Sequence, residues 1–430
     1  MTLITTLAQW CAAPPPFSPR ARQLAAEAIT DTLACMVAGR DDASTLAVKA
    51  TWGEAPRSLA NDALINATAA HAIDYDDNFA PGMSHASAVL LPALLPVALA
   101  QRASGAALID AYLIGLQAQA FIGDAVGYTH YTAGWHATST VGCIGSAAGV
   151  AALMGSDADA IARTLSIAVS LASGVKGQFG TPLKPFHAGM AARNAVDAAR
   201  LAQTGMQGRL DILEGPQGFI ELYNGTAGTP TLLVHPRHVI ERIGLMPKKY
   251  PCCGSTHRVL DAIADLQAQH SFSASDVEQV SCTVGIANWR NLAYPQPQDE
   301  MQARFSMPYC VAMLLTHGTL SVRDFTPDAV RSQAANPLLP RIAMQAWSAQ
   351  QEAEVANLPH RVTVTLRDGR QLDGERLNAR GALDEPFSAD ERMGKFLDCC
   401  AALPDAGAFY AQLLRLDQAE RCGFIRGMMT

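Results

Sequence analysis

The sequence has few of the signatures that announce a bound cofactor. No Gly-x-Gly-x-x-Gly follows a strand pattern, and neither a phosphate-binding Gly-x-x-x-x-Gly-Lys-[Ser/Thr] loop nor a Gly-x-Ser-x-Gly elbow occurs. Dinucleotide, nucleoside-triphosphate and serine-hydrolase chemistry therefore lack support. Cys-x-x-Cys pairs are missing too, although there are ten cysteines. A chain of 430 residues with irregular cysteine spacing is expected to keep reduced thiols rather than a disulfide framework. Basic runs are absent and the formal net charge is −7, which gives no electrostatic footprint for nucleic acid. The most apolar stretch, "ASAVLLPALLPVALA" at Ala86–Ala100, carries two prolines and falls short of the ~20 residues a membrane span needs. A buried helix is expected there. The N-terminus has no basic segment followed by a long apolar one, so no secretory signal is read. These absences point to a cytoplasmic protein without nucleic-acid or membrane partners.

What the chain does have is alanine, leucine and glycine at helical spacing. Aromatics are only 6% of residues. From about Ser18 to Thr204, segments such as "ARQLAAEAITDTLACMVAG", "GAALIDAYLIGLQAQAFIG" and "DADAIARTLSIAVSLASG" repeat small and large apolar residues every three or four positions. That is the pattern of helices packed on helices. After about Thr229 the character changes. "DVEQVSCTVGI" (Asp276 to Ile286) reads as a strand, and "HRVTVTLRDGRQLDGERL" (His360 to Leu377) reads as a hairpin turning at Asp368-Gly369. A helical segment, "SMPYCVAMLLTHG", lies between them, and "SADERMGKFLDCCAAL" returns to helix. The expected fold is mainly α: a large helical domain over residues 1–242, a smaller α+β domain over 243–385, and C-terminal helices over 386–430 that dock on the first domain.

The placement of basic residues is unusual. His85, His136, Lys184, His187, Lys248 and His257 sit in short polar segments just ahead of apolar helices, where free N–H groups and the helix dipole favour anions. A helix N-terminus and neighbouring cations also lower the pKa of a lysine or histidine. Four such segments in one chain suit a pocket that binds carboxylates and holds neutral bases. Taken singly, each is equally a capped or space-filling helix start. The acidic cluster of Asp74, Asp76 and Asp77 in "HAIDYDDN" admits three readings: orientation of a catalytic imidazole, a solvated turn, or a hard-cation site. No partner carboxylate cluster supports the last. Vicinal Cys252 and Cys253 are badly placed to share a tetrahedral ion. Beside Lys248 and Lys249 they fit a reactive thiol or a pocket wall.

In order along the chain, "HAIDYDDN", "SHAS", "GWHATSTVG", "GTPLKPFHAG", "ILEGPQGF" and "KKYPCCGSTH" resemble the MmgE/PrpD family. It includes 2-methylcitrate dehydratase, cis-aconitate decarboxylase and iminodisuccinate epimerase. The resemblance extends to "MGKFLDCC" and so covers nearly the whole chain. It implies a helical domain with an α+β lid, a homodimer, and catalysis without metal or organic cofactor. By motif it places Asp74, Asn78, His85, His136, Lys184 and Lys248 in a pocket, with Tyr309 of "ARFSMPY" from the lid. Two departures weigh against the decarboxylase branch: Cys253 stands where that branch has a histidine, and Asn78 where it has a threonine. His257 matches a different position.

The expected activity is a cofactor-independent lyase that eliminates water from a small hydroxy-polycarboxylate of 2-methylcitrate type. Lys184, Lys248 and Arg258 would bind carboxylates, with Asn78, Cys253, His257 and Tyr309 lining the substrate. His85 or His136 would remove the proton, the other or Lys184 would protonate the leaving hydroxyl, and Asp74 would orient one imidazole. An isomerase of iminodisuccinate-epimerase type uses the same proton abstraction without elimination and is the alternative. A non-catalytic ligand binder keeping the fold is the reading from another class.

Overall fold

In a computed structural model, residues 1–223, 235–355 and 357–430 are described; Thr229, where the sequence changes character, lies outside them. Twelve helices of ten residues or more form the frame of the described chain. They are α1 (Leu3–Ala12), α2 (Pro19–Gly39), α3 (Ala43–Trp52), α4 (Leu59–Ala72), α5 (Ala86–Ala100) and α6 (Gly105–Thr132). There follow α7 (Ala137–Leu153), α8 (Ala158–Leu171), α9 (Leu183–Gln203), α10 (Gly254–His270), α11 (Met307–His317) and α12 (Ala389–Cys399). The fold is mainly α with a smaller α+β portion.

Two hydrophobic cores organise the chain. The larger collects side chains from Ile4 to Ile240 and then from Phe396 to Met428. The smaller collects those from Tyr250 to Leu372. In the larger body α5 is apolar all round and buried along its length, packed by α4, α6, α7 and α9. A helix without a polar face can only be a core helix or a membrane span. Its two prolines, Pro92 and Pro96, lie inside it without ending it. By length and composition α6 alone among the described helices would cross a membrane, yet 83% of its apolar window is buried inside the protein. Close approach between α6 and α7 depends on Gly145, since a Cβ there would come within 2.4–2.6 Å of Gln119 side-chain and backbone atoms.

The smaller body is a four-stranded sheet, in the order β2-β1-β3-β4, with α10 and α11 against it. Its strands are β1 (Val277–Val284), β2 (Ile342–Ala346), β3 (His360–Leu366) and β4 (Gln371–Arg376). β1 pairs parallel with β2 and antiparallel with β3, and β3–β4 is the hairpin. Its turn uses Gly369 at φ 89°, a conformation that costs glycine nothing. β1 and β3 alternate buried and exposed residues. β2 is not foreseen by the sequence reading: Ile342 is its only fully buried side chain, so no two-residue period marks it. All ten cysteines are unpaired and buried.

Candidate active site

The site is built where helices begin. His85 is the N-cap residue of α5, His136 that of α7 and Cys253 that of α10, while Lys184 lies in the first turn of α9. In each of the other eight long helices the N-cap side chain accepts a backbone N–H. α5, α7, α9 and α10 lack that bond from their own cap residue. Four helix N-termini thus bring partial positive charge to one region with little local neutralisation.

Short backbone pairings hold these starts together. α4 ends at Ala72, and Asp74 follows in the left-handed region at φ 53°, which aspartate tolerates better than most residues. Asn78 and Met246 exchange two backbone hydrogen bonds of 2.9 Å, bringing the segment ahead of Lys248 onto this loop. The His85 N–H donates to Thr138 Oγ1 at 3.0 Å, joining the starts of α5 and α7. The His136 N–H donates to the Gly174 carbonyl at 3.1 Å, tying α7 to the segment that leads into α9.

Two acid centres result. Asp74, buried to 2% exposure, meets Lys184 Nζ at 2.5 Å and Lys248 Nζ at 3.2 Å through Oδ1. Burial alone would raise its pKa, but the charges of Lys184 and Lys248 hold the carboxyl well below the usual range. Lys248 responds in the opposite direction: burial disfavours its ammonium, but Asp74 and Asp76 outweigh this and raise it. The sequence reading expects neighbouring cations to depress this lysine, and the structure corrects that. Asp76 is the imidazole partner. Its Oδ2 accepts from His71 Nδ1 at 2.8 Å and lies 3.3 Å from His85 Nδ1, at ion-pair distance but off hydrogen-bond geometry. The task of orienting a histidine, expected of Asp74, therefore falls to Asp76.

The imidazoles cluster. His71 stands 4.7 Å from His85 and 5.7 Å from His136, centroid to centroid. His136 Nδ1 is 3.2 Å from His187 Nδ1. Burial lowers all four: His71 falls to about 4 despite Asp76, and His136 lies well below 6.5, pushed further by His71 and Lys184. They are neutral at physiological pH, as bases must be. His71 Nε2, Asp74 Oδ2, Asp76 Oδ1 and His136 Nε2 are buried with no hydrogen-bond partner among the described residues, a condition that marks functional sites.

Part of this set faces a cavity of about 350 Å³ between the two bodies. Asp74, Asn78, His85, His136 and Lys184 line it from the larger body, Cys253 and Arg258 from the smaller. Lys248 lies beneath, fully buried, donating to the Asp74 carbonyl at 2.7 Å. Arg258 donates to the Leu358 and Leu377 carbonyls at 3.1 Å, and burial lowers it to about 10. Besides Lys248, which the sequence reading expects to contact a substrate carboxylate, two expected residues do not line the cavity. His257 turns into the smaller core, its Nε2 3.2 Å from the Cys252 carbonyl. Tyr309 packs in the same core and donates to the Asp324 carbonyl at 2.5 Å. Both follow their helices' apolar faces, and neither lines the cavity.

The sequence reading does not single out His71, inside the buried end of α4, or Tyr131, Ser255, Asn288 and Asn291. The last four form a neutral hydrogen-bonded wall: Asn291 Nδ2 donates to Tyr131 Oη at 3.0 Å, and Asn288 Nδ2 to Ser255 Oγ at 3.1 Å. Cys252 is the thiol with unusual acidity. Burial opposes it, but contacts with Cys310, His257 and Thr256 bring it down to about 5. It lies outside the cavity, whereas Cys253, which lines it, is raised by burial. Ligand atoms of His71, Asp74, Asp76 and His85 come within 4.8 Å of one another. A cation there would have to compete with the two ammonium groups already paired with Asp74. A larger cavity, about 820 Å³, lies beyond a wall shared at Gly244, Leu245, Ala382 and Leu383. Among the described residues no histidine or lysine lines it.

Fold and site together define a two-bodied, mainly helical protein with a cavity between its bodies lined by Asp74, His85, His136, Lys184 and Arg258. The chain belongs to the MmgE/PrpD family: residues 5–230 match the MmgE/PrpD N-terminal domain and residues 250–411 the MmgE/PrpD C-terminal domain. It is similar to cis-aconitate decarboxylase of Homo sapiens, 27% identical over 351 residues, covering 78% of this chain and 71% of the human protein. The Mus musculus enzyme is also 27% identical, with 78% and 70% covered. Cis-aconitate decarboxylase of Aspergillus terreus is 25% identical over 298 residues, covering 64% of this chain and 59% of that protein.

Proposed function

We propose that this protein is a cofactor-independent lyase acting on a small di- or tricarboxylate, and that it eliminates water from a hydroxy acid of 2-methylcitrate type. The observation that carries the reading is the convergence of neutral His85 and His136 with Lys184 on one cavity fed by four helix N-termini. One substrate carboxylate binds at Lys184, with Lys248 supporting it through Asp74. Another reaches Arg258 across the cavity. His85 or His136 takes the proton from the carbon next to a carboxylate. The resulting enediolate-like charge is stabilised by the ammonium and the helix N-termini. Lys184 as its ammonium, or the imidazole that has just taken the proton, protonates the departing hydroxyl.

The first half-reaction also serves an isomerase that returns the proton to the other face, and the similar decarboxylases lose carbon dioxide from a tricarboxylate. Proton NMR in D₂O over a panel of 2-methylcitrate, citrate, cis-aconitate and iminodisuccinate separates these outcomes. An alkene signal growing from a hydroxy acid establishes dehydration. Loss of an α-proton signal with an unchanged skeleton means epimerisation, and carbon dioxide release means decarboxylation. Either of the last two sinks the dehydratase reading. Lys184→Ala should lower turnover ~10²-fold or more at saturating ligand, as for loss of transition-state stabilisation. A mere binder would lose affinity only. The same reading makes the protein a cytoplasmic homodimer. A solution mass of one 45.5 kDa chain at micromolar concentration would count against the dimer.

A further inference from the structure

Lys395, on α12, lies at 7% exposure in the larger body, far along the chain from Asp74, His85, His136 and Lys184. Its ammonium is held by both oxygens of Asp31 on α2, at 2.7 and 2.9 Å. It also donates to the Tyr75 carbonyl at 2.9 Å and sits 4.2 Å from the centroid of the Tyr75 ring. Tyr75 is the residue between Asp74 and Asp76. Its hydroxyl donates to the Lys249 carbonyl at 3.1 Å, so both ends of this residue are fixed. The preceding carbonyl, that of Asp74, accepts from Lys248 at 2.7 Å. Two ammonium groups from distant parts of the chain therefore grip successive carbonyls of one short loop.

Asp31 accepts two of the three ammonium N–H donors and the Tyr75 carbonyl accepts the third. The bond to Tyr75 also sets the rotation of the peptide joining Tyr75 to Asp76. We propose that Lys395 is a positioning residue, holding the Tyr75 carbonyl so that Asp76 leaves the chain towards His71 and His85 while Asp74 faces Lys184. The charged and titratable groups facing these two imidazoles are Asp74, Asp76, Lys184 and Lys248, with His136 stacked beside His71. None is in contact with Lys395, which acts through the backbone. The kinetic part of this inference rests on the proposed lyase reading; the structural part does not.

Lys395→Met leaves Asp31 buried and unpaired and can fail for that reason alone, so the double variant Asp31→Asn/Lys395→Met and the conservative Lys395→Arg accompany it. The first readout needs no substrate. It is the low-field imidazole N–H proton resonance of the His71–Asp76 pair at neutral pH, assigned by its disappearance in His71→Gln. In the double variant this resonance should move upfield or exchange away, and Lys395→Arg should retain part of it. The second readout uses whichever compound wild-type enzyme turns over. kcat should fall tenfold or more with KM changed less than threefold, and a recovered melting temperature in the double variant should not recover kcat. A resonance unchanged in position and protection overturns the proposal, as does its absence from the wild type. If neither Met variant folds, an unshifted resonance in Lys395→Arg overturns it, because the larger guanidinium has to displace the Tyr75 carbonyl to enter this buried position. Silence of wild type across the whole panel counts against the lyase reading and leaves the resonance to decide this one.

Discussion

Asp74 and Asp76 are two residues apart, equally buried, and do opposite work. One is clamped between ammonium groups and the other serves imidazoles. Asp76→Asn keeps the shape but removes the charge that favours the Nδ1–H tautomer of His71 and faces His85. Loss of such a supporting group typically costs ~10–100-fold in activity, so kcat should fall in that range with little change in KM. The pH profile follows from the same residues. Burial lowers His85 and His136 below 6.5, and a lowered pKa keeps the base form present as pH falls. The acid limb of kcat/KM should therefore lie below pH 6.5, the ordinary histidine value; a limb at or above it would show that neither imidazole is the base. At this scale the sequence displays His85, His136 and Lys184 because each precedes an apolar helix in a polar segment. His71 is hidden, since it sits inside the apolar pattern of α4 and meets Asp76 only through the turn that follows the helix at Asp74.

At the scale of elements, the site depends on where helices start, and this in turn depends on how closely they pack. His136 begins α7, and Gly145 lets that helix lie against α6. Gly145→Ala would place a Cβ within 2.6 Å of Gln119 backbone atoms, which cannot yield as a flexible side-chain tip can. Overpacking of this kind costs ~1–3 kcal/mol. The variant should melt lower in a thermal scan, and activity should fall further than stability because His136 moves with the helix. Gly407, with open space around it, is the control: Gly407→Ala should change neither. Most helices, the β3–β4 hairpin and β1 are legible from periodicity and from turn residues such as Asp368-Gly369. β2 is not, being a short parallel strand with one buried side chain. Tyr309 shows the limit of carrying a motif over: its helix is placed correctly, but its side chain follows the apolar face into the core.

For the whole molecule, a net charge of −7 would repel an anionic substrate at long range, so recognition has to come from the local field of the cavity. There two carboxylates, Asp74 and Asp76, stand against three cationic side chains, Lys184, Lys248 and Arg258, together with the uncapped helix starts. Because one wall comes from each body, a ligand spanning the cavity bonds the two together and stabilises only the folded, apposed state. At a ligand concentration one hundred times Kd, this linkage raises the unfolding free energy by about 2.7 kcal/mol. Thermal denaturation with citrate as probe should show the stabilisation rising with concentration and weakening as sodium chloride screens the charges. Arg258→Gln should require about tenfold more citrate for the same shift, since a hydrogen bond to a charged group contributes roughly 1.5–3 kcal/mol. Lys49→Gln, changing an exposed lysine on α3, should leave the citrate response unaltered. Equal loss in both variants would mean that citrate responds to diffuse surface charge. Loss in Arg258→Gln alone would place one carboxylate on the smaller body and the other at Lys184, with the reacting carbon between them, in reach of His85 and His136.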